Sequence, residues 1–311
     1  MNIIVPTLNQ IAFLLGFIAI GYIIKKLGLV PKNSAETLSK LENIIFIPAL
    51  VMGTFIENFT VEKIQTAWKL IVFSFLIAFI AIPLAIITSK IVTKDKYIQN
   101  IYTYGLSFSN FGFMGNAVVS SLFPDIFLEY LIFTLPLWTL IYIWGVPQLL
   151  ITDPNKTQSL KDNLKSFVNP MFVGMIIGIV IGLLNIKLPV FLTSIISVSG
   201  QCMSPVAMLL TGMVVASVSL KKTFSDYKIY IISIVRLIVF PLIFIVLGYL
   251  IKMPKTIYSC ALCSLSMPLG LNTIVIPSAY GKDTTVASGM TLISHIMSCI
   301  TIPLIFMFSG L

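Results

Sequence analysis

Charge is scarce in this chain. Only 10% of its 311 residues are charged and 58% are hydrophobic, where soluble domains carry about 25% charge. The mean hydropathy is +1.02, so the bulk of the mass belongs in a bilayer. Histidine is scarcer still, with His295 standing alone; that limits zinc or acid–base chemistry. The four cysteines, Cys202, Cys260, Cys263 and Cys299, fall in apolar stretches rather than loops, against a disulfide framework. Cys260 and Cys263 make a CxxC, but a structural zinc site needs about four ligands. No metal and no cofactor are expected. The patterns GxxxxGK[ST], HExxH and GxSxG are missing, which speaks against an ATP-driven pump in one chain and against an enzyme. Residues 1–24 carry no charge, so the first apolar stretch reads as a span rather than a secretory leader, whose n-region is basic.

What is present is a series of ten apolar stretches, at roughly 8–24, 38–56, 67–89, 98–122, 126–151, 168–185, 190–217, 227–251, 256–280 and 285–309, most of them near the ~20 residues a spanning helix needs. The longest polar connection, Ile151 to Phe167, is too short for a folded domain. The net charge of +9 follows the same frame. Fourteen of the nineteen lysines flank the odd-numbered connections, the positive-inside bias of membrane proteins. It predicts a multi-pass protein of the cell (cytoplasmic) membrane with both termini outside. The basicity is topology and implies no nucleic-acid partner.

Prolines repeat at a fixed offset. Pro31 and Pro189, Pro48 and Pro205, Pro83 and Pro241, and Pro147 and Pro303 are 156–158 residues apart, where about one such match is expected by chance at a proline frequency of about 5%. Asp125 and Asp283, and Asn116 and Asn272, keep the same offset. Each half then holds five spans. Five is odd, so the second half enters the membrane from the other side, as in many secondary carriers. The expected fold is all-α, integral to the membrane, with ten transmembrane helices in two inverted five-helix repeats. Residues 1–151 form the first repeat, 152–167 a cytoplasmic linker and 168–311 the second, inverted repeat.

The fourth span of each half carries its own breakers. Span 4 has Ser109, Asn110, Gly112, Gly115 and Asn116; span 9 has Ser266, Pro268, Gly270, Asn272 and Thr273. A break at membrane depth is tolerated only where it is buried in protein or lines a watery cavity. Paired broken spans in equivalent places point to a transporter's binding site. Each break exposes half-helix N-termini with unpaired N–H groups and partial positive charge. These suit a carboxylate, and asparagine adds both donor and acceptor. The bland alternative is close helix packing, which accounts well for Gly174, Gly178 and Gly182 in span 6. That glycine face leaves a homodimer open. Arg236 in span 8 reads either as a counter-charge or gate for an anion, or as a structural arginine that snorkels to an interface or pairs with a backbone carbonyl. His295 in span 10 reads either as a proton relay or as a helix–helix hydrogen bond. Glu42 and Glu129 read as interfacial carboxylates near span ends. Spans 4 and 9 hold no Asp pair, which disfavours a proton antiporter built on paired carboxylates.

The chain resembles the auxin efflux carrier family, which includes plant auxin carriers and bacterial malate or malonate permease-like proteins. The resemblance runs over nearly the whole chain. It rests on GLVP (Gly28 to Pro31), PAL (Pro48 to Leu50), SNFGFMG (Ser109 to Gly115), MPLGLN (Met267 to Asn272), AYGKD (Ala279 to Asp283) and SCITIPL (Ser298 to Leu304). It implies ten helices divided into a scaffold part and a transport part, with organic anions crossing where spans 4 and 9 meet; Asn110 and Pro268 match the family's crossover positions. Two departures stand out. Gly115-Asn116-Ala117 lacks the family's proline, and His295 replaces a small polar residue.

The expected function is a secondary active transporter for a small organic anion, a carboxylate, working by alternating access at the crossing. A sodium-coupled symporter is the rival within transport, since half-helix carbonyls with Asn and Ser could cage a cation; a membrane channel or sensor is the rival from another class. Sodium or a proton is the candidate coupling ion, and the lipid bilayer is the surrounding partner.

Overall fold

The computed structural model describes residues 4–58, 61–151, 170–217 and 224–310. The expected linker at 152–167 lies outside the described residues. Among the described residues every regular element is a helix. In chain order these are α1 (Ile4–Lys26), α2 (Ser34–Leu41), α3 (Ile47–Asn58), α4 (Val61–Val92), α5 (Lys96–Ser107), α6 (Asn116–Leu122), α7 (Phe127–Leu140), α8 (Pro170–Leu183), α9 (Val190–Val215), α10 (Tyr227–Ile234), α11 (Phe240–Leu250), α12 (Lys255–Leu265), α13 (Asn272–Ala279) and α14 (Thr285–Ser309).

Among the described residues, seven helical stretches are long and apolar enough to cross a membrane: Val5–Lys26, Ser34–Glu57, Ala67–Val92, Pro124–Leu150, Val190–Val215, Tyr227–Leu250 and Thr285–Ser309. The other three expected spans hold shorter helices. Span 6 is α8, with 14 residues. Span 4 is split into α5 and a second piece, Phe111–Leu122. Span 9 is split into α12 and α13.

Wide π-helical turns join α2 to α3 (Glu42–Phe46) and α10 to α11 (Val235–Val239). Each ends two residues before a proline, Pro48 or Pro241. A proline inside a helix clashes with the carbonyl four residues back, and a widened turn moves that carbonyl aside while keeping the span continuous. Glu42 sits in the first of these turns and is 1% exposed, packed against α9. The sequence reading of Glu42 as interfacial is thereby corrected; hydropathy set the span end too close to it.

Two sets of helices pack internally. In one, α1 lies along α9, and α3 along both α8 and α9. Small residues let these backbones touch, which matters in lipid because no hydrophobic drive brings helices together there. A Cβ on Gly212 would strike the carbonyl of Ile18, and one on Gly21 the carbonyl of Leu209. In the other set, α4 packs on α5 and α7, and α10 on α14. The broken spans belong to this second set.

Candidate functional site

The two broken spans run antiparallel and meet at their breaks. Tyr97, in the first turn of α5, donates its hydroxyl hydrogen to the carbonyl of Asp283 just beyond α13, at 2.7 Å. So the start of span 4 and the end of span 9 share one side of the molecule. Asp283 also accepts from the Thr285 N–H and hydroxyl, at 2.9 and 2.6 Å; these bonds hold its carboxyl below the usual carboxylate range.

At the crossing, Ser109 and Leu269 form an antiparallel bridge. The Asn110 N–H donates to the carbonyl of Pro268 at 2.7 Å, and the Ser109 hydroxyl donates to the carbonyl of Ser264 at 2.7 Å. The Leu269 N–H donates to the Ser294 hydroxyl at 3.2 Å. Backbone groups freed by the breaks are therefore largely paired across the chain, as burial demands. Gly270 is required by this approach, because a Cβ there would lie 2.6 Å from the carbonyl oxygen of Phe108.

The C-terminal ends of the first half-helices, α5 and α12, converge on Arg236. Its side chain projects from the wide turn 235–239 and is 1% exposed. Nη1 donates to Leu106 at 2.8 Å, Nη2 to Ser264 at 3.3 Å and Nε to Met267 at 3.3 Å, all backbone carbonyls. Carbonyl ends of helices carry partial negative charge, so a single guanidinium meets both half-helices with its forked donors.

The N-terminal ends of the second half-helices lie on the other side of the crossing. Asn110 caps the first of these, its Oδ1 accepting from the Met114 N–H at 3.4 Å. Its Nδ2 lies 3.0 Å from His295 Nε2. The second piece starts at Asn272, whose Nδ2 donates to the Tyr104 hydroxyl at 3.1 Å, while the Thr273 hydroxyl donates to the Gly270 carbonyl at 2.7 Å. Between these ends is a cavity lined by Tyr104, Phe108, Asn110, Trp138, Leu271 and Asn272, among others. It has room for about one water.

The remaining expected residues take other places. Gly112 lies under the Trp138 indole and Gly115 under the Tyr130 hydroxyl, each where a Cβ would collide. Asn116 belongs to α6, not to the break, and its buried Oδ1 has no hydrogen-bond partner. The Ser266 hydroxyl is buried and likewise unpartnered. The break in span 4 falls at Phe108–Asn110, between α5 and the wide turn Phe111–Gly115.

Aromatic side chains, which the sequence pattern does not mark as site residues, also shape the crossing. Tyr130 holds that wide turn by donating to the Phe111 carbonyl at 2.9 Å. Trp138 packs edge-on against Phe111, with ring centroids 5.1 Å apart. The i, i+4 spacing of Tyr104 and Phe108 was a faint signal, since it puts both rings on one helix face.

The family model described as "Membrane transport protein" matches residues 6–159 and 154–306. The chain belongs to this family, the auxin efflux carriers. Its members are membrane transporters, and the chain is a multi-pass membrane protein carrying two segments that match the family model. A comparison with curated proteins returned no match.

Proposed function

We propose that this carrier moves a small organic anion, a mono- or dicarboxylate of the malate or malonate kind, across the cytoplasmic membrane by alternating access at the crossing of spans 4 and 9. The observation that carries the reading is the division of charge there. Arg236 satisfies the carbonyl ends of the first half-helices, while the opposite, N–H ends border the cavity. A carboxylate placed there meets oriented N–H groups, the amides of Asn110 and Asn272, and partial positive charge. The same division weighs against sodium coupling, because the carbonyls at the half-helix ends already hold a built-in cation.

The cavity is too small for any carboxylate, so binding requires it to open. In this reading the set containing the broken spans moves against the α1–α3, α8 and α9 set. The ten spans form two inverted repeats, residues 1–151 and 168–311, with the termini outside.

The test is a thermal-unfolding screen of purified protein with acetate, malonate, malate and benzoate, followed by counterflow in proteoliposomes. A ligand at about 100 times its Kd adds ~2.7 kcal/mol. Asn272→Ala removes one donor from the site and is expected to weaken binding about tenfold, the worth of one hydrogen bond. An unchanged shift and unchanged counterflow in Asn272→Ala would remove this site from consideration. Currents far above a carrier's turnover would favour a channel instead.

A further inference from the structure

His295 lies midway along α14, 2% exposed, and its hydrogen bonds fix its proton. Nδ1 is 2.7 Å from the Thr291 carbonyl. A carbonyl only accepts, so Nδ1 carries hydrogen. Nε2 faces the amide nitrogen of Asn110 at 3.0 Å. That nitrogen only donates, so Nε2 is bare. Asn110 Oδ1 in turn receives the Met114 N–H. The three bonds hold together only around a neutral ring.

We infer that His295 is the coupling group of this transporter and takes up a proton from water together with the anion. The inference rests on the anion-transport reading above. A protonated ring has N–H on both nitrogens. Its Nε2–H would point at an N–H of Asn110, so the amide must turn over to offer Oδ1. The turn puts Nδ2 where Oδ1 stood; the Met114 N–H keeps its bond to the Asn110 backbone carbonyl at 3.1 Å, so the amide now presents a donor without an acceptor at the cavity that Asn110 lines. A carboxylate supplies the acceptor that this donor lacks, and its charge offsets the imidazolium. Proton and anion therefore favour each other, and the coupling is reciprocal. A monocarboxylate with one proton adds no net charge, so the loaded site keeps no unpaired charge in a low-dielectric interior.

The surroundings leave this role to His295. The elements packed most extensively on α14 are α1, α9, α10, α13 and the wide turn 235–239; α5, with Lys96, Tyr97, Tyr102 and Tyr104, also reaches it where Gly105 meets Met290, and none of these carries a carboxyl group. Arg236 is bonded to its three carbonyls. Tyr22, Lys25 and Lys26 lie in the last turns of α1, and Tyr227, Lys228 and Tyr230 in the first turn of α10. Cys202 is on α9, and Cys299, one turn further along α14, donates to the His295 carbonyl.

Because the chain has one histidine, labelling histidine with 15N reports on this ring alone, provided the affinity tag contains none. Ring nitrogen spectra are recorded against pH with and without saturating malonate, or whichever of the four carboxylates shifts unfolding most. Without anion the ring is expected neutral with hydrogen on Nδ1; with anion, at the same pH, it is expected doubly protonated. Anion affinity should rise about tenfold for each unit fall in pH between the two titrations. His295→Gln keeps an acceptor that does not titrate, and its affinity should be flat with pH. If the anion binds while the ring stays neutral, or if His295→Gln keeps the wild-type slope, the inference falls and the anion site stands. If binding instead requires sodium with no change in the ring, sodium is the coupling ion and the inference falls. If none of the four carboxylates binds, the anion reading falls and takes the inference with it.

Discussion

Replacing Arg236 with leucine is expected to lower thermal stability by about 5 kcal/mol. The side chain donates to three backbone carbonyls on two half-helices, and hydrogen bonds from charged donors contribute about 1.5–3 kcal/mol each. Leucine fills part of the volume but leaves two helix C-termini facing each other with like partial charges. A melting temperature lower by roughly 8 °C follows for 311 residues at about 2.1 cal/mol/K of unfolding entropy per residue, read by thermal unfolding in detergent. Arg236→Lys should lose about half as much, because one ammonium cannot reach three separate carbonyls as a fork does. A leucine variant that melted with the wild type would show that the two half-helices meet without a cation.

Gly270→Val is expected to abolish transport while leaving a protein that still inserts. A Cβ at position 270 would lie 2.6 Å from the Phe108 oxygen and 3.4 Å from the Ser109 oxygen. Both neighbours are backbone and cannot swing away. The break of span 4 must shift, and with it the Asn110–Pro268 bond two residues away in span 9. Overpacking of this kind costs about 1–3 kcal/mol, but the functional cost is larger, since the donors around the cavity move by a fraction of an ångström or more. Counterflow should fall below detection. Gly16→Ala is the matched control, because nothing lies within 4 Å of a Cβ there and flux should be unchanged. Wild-type flux in Gly270→Val would mean that the crossing is not the transport path.

The breaks themselves were legible because glycine, proline and asparagine coincide at membrane depth, where each has a backbone consequence. Which backbone groups pair across them was not. Nothing in a linear pattern says that the Asn110 N–H meets the Pro268 carbonyl, since the pairing depends on how two spans cross. The sequence spread the span 4 break over residues 109–116. The structure narrows it to Phe108–Asn110, because Gly112 and Gly115 answer to Trp138 and Tyr130 rather than to backbone bending. Those aromatics were invisible as site residues because the same residue types fill the core. Both readings of Arg236 were open in the sequence, and only its partners separate them: a cation's charge is written in one letter, its hydrogen bonds are not. Glu42 is buried where the pattern places an interface, since hydropathy locates span ends only within a few residues.

The crossing is tied to itself more tightly than to its surroundings. Its internal bonds, Asn110 to Pro268 and Ser109 to Ser264, are 2.7 Å long, and Tyr97 staples the outer ends at the same length. Two bonds that reach it from the other helix set, Ser204 to the Phe113 carbonyl at 3.2 Å and Gln10 to the Ala117 carbonyl at 3.3 Å, are longer and single. Such a contact behaves as a latch. In the transport cycle proposed above, it would release and re-form one turn further along at little cost, while the knotted crossing moves as one piece.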